Sequence, residues 1–132
     1  AVELVLAMPI QLMIAHPNVA ACRSKVALQR GPLVYGFEGL DNRGNPRVAL
    51  GANPQFRAER APELLGGITV IRGTAADGQP IQAIPFYALA NRGKSAQEVC
   101  VDQPGQKRGD DWWLGALYRP AAMPTNRPAA AP

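Results

Sequence analysis

The fold class is indicated most clearly by the segment KVALQRGPLVYGFE, residues 25–38. Its first part, Lys25–Gln29, is short and compatible with a β-strand, and the Gly-Pro pair after it predicts a kink or a tight turn. Leu33–Glu38 then has the composition of a core strand, in which Gly36 indicates a bulge or a close approach of the backbone. The stretch therefore predicts two strands separated by a turn.

The N-terminal residues extend this pattern upstream. Apolar residues alternate with others from Val2 to Ile14, which is the period of two that a strand requires. Pro9 has no N–H to donate, so we expect a break there and two strands rather than one. His16-Pro17-Asn18 follows as a turn.

The residues after Glu38 also favour short strands. Every residue of Ile68–Ile71 is β-branched and the segment ends at Gly73, which predicts a strand, and Asp77-Gly78 predicts a hairpin. Residues 51–67 are expected to be irregular, with one helical turn at Pro62–Leu65. The further short segments with strand character are Arg47–Leu50, Ile81–Ile84, Phe86–Leu89, Gln97–Val101 and Trp112–Tyr118.

Together these segments predict an all-β protein. The chain of 132 residues contains 13 Pro and 13 Gly, which nearly excludes a helix bundle because both residues disfavour a helix interior. About nine short strands with turns between them indicate a β-sandwich of jelly-roll type, with less than about 10% helix. We expect residues 1–118 to form this domain and residues 119–132, rich in Pro and Ala, to form a flexible tail.

Charge and hydropathy exclude two classes of partner. The net charge is +4, but the arginines are dispersed along the chain, whereas a nucleic-acid-binding protein concentrates its positive charge on one face. No apolar run approaches the roughly 18 residues of a membrane span, and the N-terminus lacks the pattern of a signal peptide. We therefore expect neither nucleic acid nor a membrane as a partner, and a soluble protein that is either cytoplasmic or exported.

The sequence contains no recognisable catalytic motif, and we assign no catalytic residue. It has no nucleophile elbow, Walker A loop, dinucleotide-binding turn or C-x-x-C pair. His16 is the single histidine, and its turn context favours a surface imidazole. Cys22 and Cys100 are compatible with one disulfide or with two buried thiols. A metal-assisted hydrolase, kept as an alternative, would use these three residues as zinc ligands, and otherwise we expect no cofactor.

Glu38 is the one carboxylate for which the sequence predicts burial. It ends an apolar strand, and a buried carboxylate usually needs a cationic partner, so we expect it to pair with an arginine such as Arg30 or Arg92. That role would be structural. The adjacent Asp110 and Asp111 would point to opposite faces of an extended chain, and they are expected to lie in a solvated loop.

Three aromatic residues near the C-terminus are candidates for carbohydrate binding. Trp112, Trp113 and Tyr118 offer flat rings that can stack on the apolar face of a sugar. Neighbouring residues of a strand face opposite ways, so the competing interpretation places one Trp in the core and the other over a sheet edge.

Three blocks of the sequence together resemble a known family. These blocks are KVALQRGPLVY at residues 25–35, followed by Glu38 and Asp41-Asn42; LGGITVI at residues 65–71; and AIPFYALANRG at residues 83–93. They occur in the same order in glycoside hydrolase family 127 (DUF1680), the family of bacterial β-L-arabinofuranosidases. The chain resembles that family over about residues 1–101, and no resemblance extends beyond about Asp102.

The resemblance implies an accessory role. In that family an upstream (α/α)6 barrel carries the acid/base glutamate, the nucleophilic cysteine and the zinc ligands, whereas the segment matched here belongs to the C-terminal β-sandwich region. That region supports the barrel and contributes to subunit contacts. This chain departs from the family at three positions: Gly36 stands in place of a frequent Cys, and Leu89 and Cys100 in place of frequent Trp residues.

We therefore expect a non-catalytic accessory β-sandwich domain with a structural or assembly role. Its expected partners are a catalytic barrel domain or a second copy of itself, with the apolar residues from Val2 to Ile14 as the surface that pairs. One alternative is a carbohydrate-binding module that uses Trp112, Trp113 or Tyr118. The other is a minimal stand-alone hydrolase with zinc bound by His16, Cys22 and Cys100.

Overall fold

The protein is an all-β domain, as the sequence predicts. The computed structural model describes residues 1–104 and the backbone of Tyr118–Pro120. Nine strands are present in these residues: β1 Ile10–Ala15, β2 Lys25–Arg30, β3 Leu33–Glu38, β4 Phe56–Ala61, β5 Ile68–Thr74, β6 Pro80–Pro85, β7 Gln97–Glu98, β8 Val101–Asp102 and β9 Tyr118–Pro120. The helical elements of the same residues are three single 3₁₀ turns, Ala20–Cys22, Gly39–Asp41 and Phe86–Ala88. None of them is long enough to cross a membrane.

The strands form one curled antiparallel sheet. Its order is β4-β5-β6-β3-β2-β1-β9, and the two-residue strands β7 and β8 add to β3 and β2 respectively. Although β1 and β4 lie five positions apart in this order, they come into contact. The sheet therefore folds over on itself and encloses a core between its two halves, which is the sandwich-like arrangement that the sequence predicts.

The inner face of the sheet carries the main core. Strand register places Leu28 opposite Tyr35, and Phe37 opposite Ala83, so these side chains share one face. All four are fully buried, and the Tyr35 hydroxyl donates to the carbonyl of Thr69 at 2.8 Å. The outer face has a second cluster of Ile68, Val70, Ile84 and Ala88, with Leu89 packed against it. Both faces of the central strands are thus covered, at least in part, by apolar residues.

The N-terminal prediction is correct for one strand and wrong for the other. Ile10–Ala15 forms β1, with Ile14 buried and Ile10 and Leu12 packed on the core. Residues 1–9 form no strand, and the side chains of Val2, Leu4, Val5 and Leu6 are exposed. The neighbouring strand β2 ends at Arg30. Gly31 N still donates to Pro9 O at 3.2 Å, but the chain then turns into β3, so among the described residues the pairing with β1 continues no further towards the N-terminus.

Strand β4 is an element that the sequence analysis missed. Phe56–Ala61 lies in the stretch expected to be irregular, yet it pairs with β5 from Phe56↔Gly73 to Ala61↔Ile68. Its sequence, FRAERA, has no clear apolar alternation, which is why the pattern gave no signal. The expected helical turn after it is instead a pair of hydrogen-bonded turns, Leu64 N to Ala61 O and Gly67 N to Leu64 O.

Other local predictions have mixed outcomes. The predicted strands Lys25–Gln29, Leu33–Glu38, Ile68–Ile71 and Ile81–Ile84 are confirmed within β2, β3, β5 and β6, and so is the hairpin at Asp77-Gly78. The expected strand at Arg47–Leu50 is reduced to a single bridge, Ala49 with Asp102. The expected strand Phe86–Leu89 is instead a 3₁₀ turn, Phe86–Ala88, because Pro85 ends the ladder with β3.

The C-terminal residues are described only in part. The backbone of Tyr118–Pro120 pairs with Met13–Ala15 of β1, so β9 continues two residues past the predicted domain end at residue 118. The remainder of the predicted tail, residues 121–132, and most of the predicted strand Trp112–Tyr118 lie outside the described residues.

Candidate functional site

A cluster of charged side chains joins two parts of the chain that are distant in sequence. Glu38 ends β3 and is 1% exposed, Asp41 lies in the 3₁₀ turn that follows, and Arg92 comes from the loop after β6. The guanidinium of Arg92 donates to Glu38 Oε2 at 2.7 Å. It also donates to both carboxylate oxygens of Asp41, at 2.9 Å from Nη1 and 2.5 Å from Nη2. Arg92 therefore makes a bidentate pair with one carboxylate and a charged hydrogen bond with the other.

The charges of Glu38, Asp41 and Arg92 indicate a structural role for this cluster. The hydrogen bond with Asp41 raises the pKa of Arg92 above its usual range, and the one with Glu38 adds to this effect, against an opposing contribution from partial burial. The second oxygen of Glu38 accepts a hydrogen bond from the backbone N–H of Ala90 at 2.5 Å. Both oxygens of this buried carboxylate are thus engaged within the protein. The expected pairing of Glu38 is confirmed, with Arg92 as the partner.

Asn42 extends the cluster to the neighbouring strand. Its amide nitrogen donates to the carbonyls of Glu38 at 2.8 Å and Gln82 at 2.9 Å. Its amide oxygen accepts from the N–H of Gln82 at 3.0 Å, and the residue is 1% exposed. The side chain of Asn42 therefore bonds to β6 as a neighbouring strand would. It supplies partners for the N–H and carbonyl of Gln82 and for the carbonyl of Glu38, which are costly to bury unpaired.

The cluster holds the 3₁₀ turn Phe86–Ala88 against the sheet. Ala88 is buried in the outer cluster, and Leu89 lies so close to Gly36 that a Cβ there would come within 2.8 Å of Leu89 Cδ1. The bonds of Glu38 to Ala90 and Arg92 fix the chain just beyond this contact. The aromatic side chains of the turn, in contrast, point outwards: Phe86 is 60% and Tyr87 65% exposed.

The residues of the cluster and the turn come from the same blocks that carry the family resemblance. The family model described as the glycoside hydrolase family 127 C-terminal domain matches residues 10–102. The chain belongs to this family. The blocks of the family 127 domain that lie far apart in sequence, around Glu38 and around Arg92, thus meet in one buried polar cluster.

Solved structures agree with this assignment. The crystal structure of a family 127 β-L-arabinofuranosidase from Geobacillus stearothermophilus T6 is 36% identical, with a TM-score of 0.67, over 73% of this chain and 18% of that one. A second family 127 β-arabinofuranosidase is 35% identical, with a TM-score of 0.66, over 74% of this chain and 19% of that one. A protein described as a glycoside hydrolase is 27% identical, with a TM-score of 0.66, over 75% of this chain and 20% of that one. A comparison with curated proteins gave no match.

The chain therefore spans about a fifth of the length of the proteins that it resembles. The matched part of the family 127 domain is the sheet described above, from β1 to β8.

The candidate carbohydrate-binding residues lie mostly beyond the described part of the structure. Trp112 and Trp113 are outside the described residues, and Tyr118 is described only by the pairing of its backbone with Ala15. A sugar-stacking surface on these three residues stays a prediction.

The candidate metal ligands are brought together only in part. Cys22 Sγ donates to Cys100 Sγ at 3.5 Å, so these two residues, 78 positions apart in sequence, are in contact. His16 Nδ1 accepts a hydrogen bond from the N–H of Asn18 within its own turn, at 3.1 Å. Among residues 1–104, no three His, Cys, Asp or Glu side chains form a group that could hold a metal ion.

Sequence reasoning missed the exposed aromatic turn. Phe86 and Tyr87 lie in the AIPFYALANRG block, and their residue types alone would place them in the core. The signal that could have found them is Pro85, which ends strand β6 and so leaves the next residues without a place in the sheet.

Proposed function

We propose that this domain is a non-catalytic accessory unit that packs against the catalytic region of a family 127 glycoside hydrolase. The observation that supports this role is the exposed aromatic turn Phe86–Ala88, held on a buried ion cluster. Aromatic side chains on a rigid support are well suited to binding a protein surface, because little conformational entropy is lost when they are covered.

The state of the carboxylates supports the non-catalytic part of the proposal. A glycosidase needs a carboxyl group that reaches the sugar as acid or base, whether its nucleophile is a second carboxyl group or, as the resemblance implies for family 127, a cysteine. Glu38 and Asp41 lie close together, but they share one guanidinium, and Glu38 is fully buried. Neither group is free to protonate a leaving oxygen or to attack a sugar.

The size of the relatives supports a partner that is itself a protein. The matched segment is about a fifth of each of the family 127 β-arabinofuranosidases named above, so in those proteins it occurs beside a much larger region. A surface that faces such a region is expected to expose apolar side chains when the domain is isolated. Phe86 and Tyr87 have this property.

A domain exchange tests the proposal. The segment of the Geobacillus enzyme that corresponds to residues 10–102 is replaced by these residues, and the melting temperature and the arabinofuranosidase activity of the chimera are measured. The double variant Phe86→Ser/Tyr87→Ser is expected to lower the chimera's melting temperature by about 5 °C or more, since buried interface aromatics contribute strongly.

The matched control is the same double variant in the isolated chain. Because both side chains are largely exposed there, its melting temperature is expected to change little. Equal melting temperatures for the parent and the variant chimera would contradict a docking role for this turn. Turnover of an arabinofuranoside by the isolated chain, abolished by one substitution within it, would overturn the non-catalytic assignment.

A carbohydrate-binding module is the second candidate, and the same turn is what favours it. Two adjacent exposed rings can also stack on sugar rings. Isothermal titration of the isolated chain with arabino-oligosaccharides separates the two functions. Saturable binding that is lost in Phe86→Ser/Tyr87→Ser would favour the module, and the docking proposal expects no such binding.

A further inference from the structure

The contact between Cys22 and Cys100 has no part in the accessory role described above. Cys22 ends the 3₁₀ turn that precedes β2, and Cys100 directly precedes β8. These two strands pair with each other through Val26↔Val101 and Lys25↔Asp102. This pairing joins the two segments that carry the cysteines, which lie 78 positions apart in sequence, to the same part of the sheet edge. Its antiparallel register places Cys100 beside Ala27, so Cys22 reaches Cys100 only because the chain leaves the ladder before Lys25.

A bend in the backbone between Cys22 and β2 brings the Cys22 side chain to Cys100. The carbonyl of Ser24 accepts a hydrogen bond from Gln103 N at 2.9 Å, which continues the ladder by one step. Ser24 itself has a φ of 56°, in the left-handed region, where the chain bends sharply. Beyond this bend the chain leaves the ladder, and Cys22 Sγ lies 3.5 Å from Cys100 Sγ.

We propose that Cys22 and Cys100 form a dithiol site that a small-molecule disulfide oxidises to an intramolecular crosslink. A disulfide requires the two sulfur atoms to approach to about 2.05 Å, which is a displacement of about 1.5 Å from the thiol contact. Cys22 stands on a short turn outside the main ladders, so rotation of its side chain with a small shift of the turn achieves this displacement.

The reaction is a two-step thiol–disulfide exchange. The thiolate of one cysteine attacks a sulfur of the oxidant, forms a mixed disulfide and releases one molecule of thiol. The thiolate of the other cysteine then attacks the protein sulfur of that mixed disulfide and releases the second molecule of thiol. In total the two cysteines lose two electrons and two protons, and the oxidant disulfide is reduced to two thiols.

The surroundings of Cys100 give access for this exchange and lower its rate at neutral pH. Cys100 is partly exposed and borders two openings, an apolar groove of about 280 Å³ and a more polar one of about 230 Å³. Burial, together with the contact with Cys22, raises the pKa of Cys100 to about 11, with Lys25 opposing and Glu98 adding to the shift. The thiol form therefore prevails at neutral pH, and the exchange is expected to be slow there.

The crosslink would tie the turn before β2 to the strand β8 and close a loop that contains β2 to β7. A closed loop of this length restricts the unfolded chain more than the folded one. Oxidation is therefore expected to raise the melting temperature by about 10 °C.

Incubation of the full chain with oxidised glutathione tests the site. The expected product is a monomer that has lost two hydrogen atoms and both titratable thiols. Tryptic digestion is expected to give one reducible pair of linked peptides, the one that ends at Arg23 and the one that follows Lys94. Reductant should restore both thiols and the original melting temperature.

The single variants Cys22→Ser and Cys100→Ser are the controls, since each keeps one thiol and loses the partner. Each is expected to gain one glutathionyl group and no increase in melting temperature. A parent chain that ends with one or two stable glutathionyl groups, or as a disulfide-linked dimer, would overturn the proposal. A crosslinked monomer with an unchanged melting temperature would overturn its effect on stability.

Discussion

Two contacts in this domain join segments that are distant in sequence, and they differ in kind. The contact of Arg92 with Glu38 spans 54 positions and involves opposite charges, one of them fully buried. The contact of Cys22 with Cys100 spans 78 positions and involves two partly exposed thiols. A buried charge strongly penalises loss of its partner, whereas a thiol pair makes a weak contact and keeps its chemical reactivity. The contact of Arg92 with Glu38 therefore stabilises the fold, whereas the contact of Cys22 with Cys100 is a place where the fold can be modified.

Removal of Arg92 is the strongest test of this difference. Arg92→Ala leaves the buried carboxylate of Glu38 without a cationic partner and removes both bonds to Asp41. The free energy of unfolding is expected to fall by about 3 kcal/mol or more, since an unpaired charge in the interior is costly. Urea denaturation followed by circular dichroism measures this change.

Arg57→Ala is the matched control, because Arg57 pairs with Glu59 at the surface, at 3.6 Å. Its effect is expected to stay below about 1 kcal/mol. If Arg92→Ala does not fold, Arg92→Lys keeps the charge without the bidentate geometry and gives a measurable intermediate loss. Similar stabilities for the Arg92 and Arg57 variants would show that the buried cluster does not maintain the fold.

Loss of the Asn42 amide is expected to have a smaller effect. Asn42→Ala leaves the N–H and the carbonyl of Gln82 and the carbonyl of Glu38 without their side-chain partner in a buried site. The expected decrease in the free energy of unfolding is about 2 kcal/mol. Asn45→Ala is the control, because within residues 1–104 the bond that the Asn45 side chain makes is to the exposed N–H of Arg47. Equal decreases for the two variants would contradict a special role for Asn42.

The sequence predicted the parts of this fold that depend on local pattern. Leu33–Glu38 and Ile68–Ile71 are apolar enough to be recognised as strands, and the burial of Glu38 followed from its place at the end of such a strand. The sequence predicted an arginine, such as Arg30 or Arg92, as the partner of Glu38, and Arg92 is that partner. Which arginine lies beside Glu38 depends on the path of the chain, and charge and spacing do not reveal that path.

The parts that escaped prediction depend on pairing between distant segments. β4 is a strand because β5 lies beside it, and residues 1–9 are not a strand because β2 ends before it could pair with them. The contact of Cys22 with Cys100 depends on the pairing of β2 with β8, which joins segments far apart in sequence. None of these is a local property of the sequence.

The packing at Gly36 gives a test with a still smaller expected effect. In Gly36→Ala the added methyl group would lie 2.8 Å from Leu89 Cδ1, so the Leu89 side chain must shift. The expected decrease in the free energy of unfolding is about 1 kcal/mol. In a Leu89→Ala background the same substitution is expected to have less effect, since the obstructing atoms are gone. Gly51→Ala is the control, because no atom of the described part of the chain lies within 4 Å of its added methyl group.

The smallest expected effect concerns the reduced thiol pair at alkaline pH. Burial and the contact with Cys22 raise the pKa of Cys100 from 9.0 to about 11, so the folded protein holds this proton more tightly than the unfolded chain does. The resulting stabilisation is fully present below about pH 9 and is lost as the pH rises towards 11. Because Cys100 is partly exposed, it is expected to amount to less than about 1 kcal/mol.

Melting temperatures at pH 8 and pH 10.5, measured with a phosphine reductant, test this expectation by comparing the parent chain with Cys100→Ser. Tyr35, whose pKa burial also raises, loses its contribution in the same direction in both proteins, so the difference between them isolates Cys100. The melting temperature of the parent is expected to fall by a few degrees more than that of the variant, because serine does not ionise in this range. A decrease that is equal in both, or larger in the variant, would show that the fold does not favour the protonated thiol at this sheet edge.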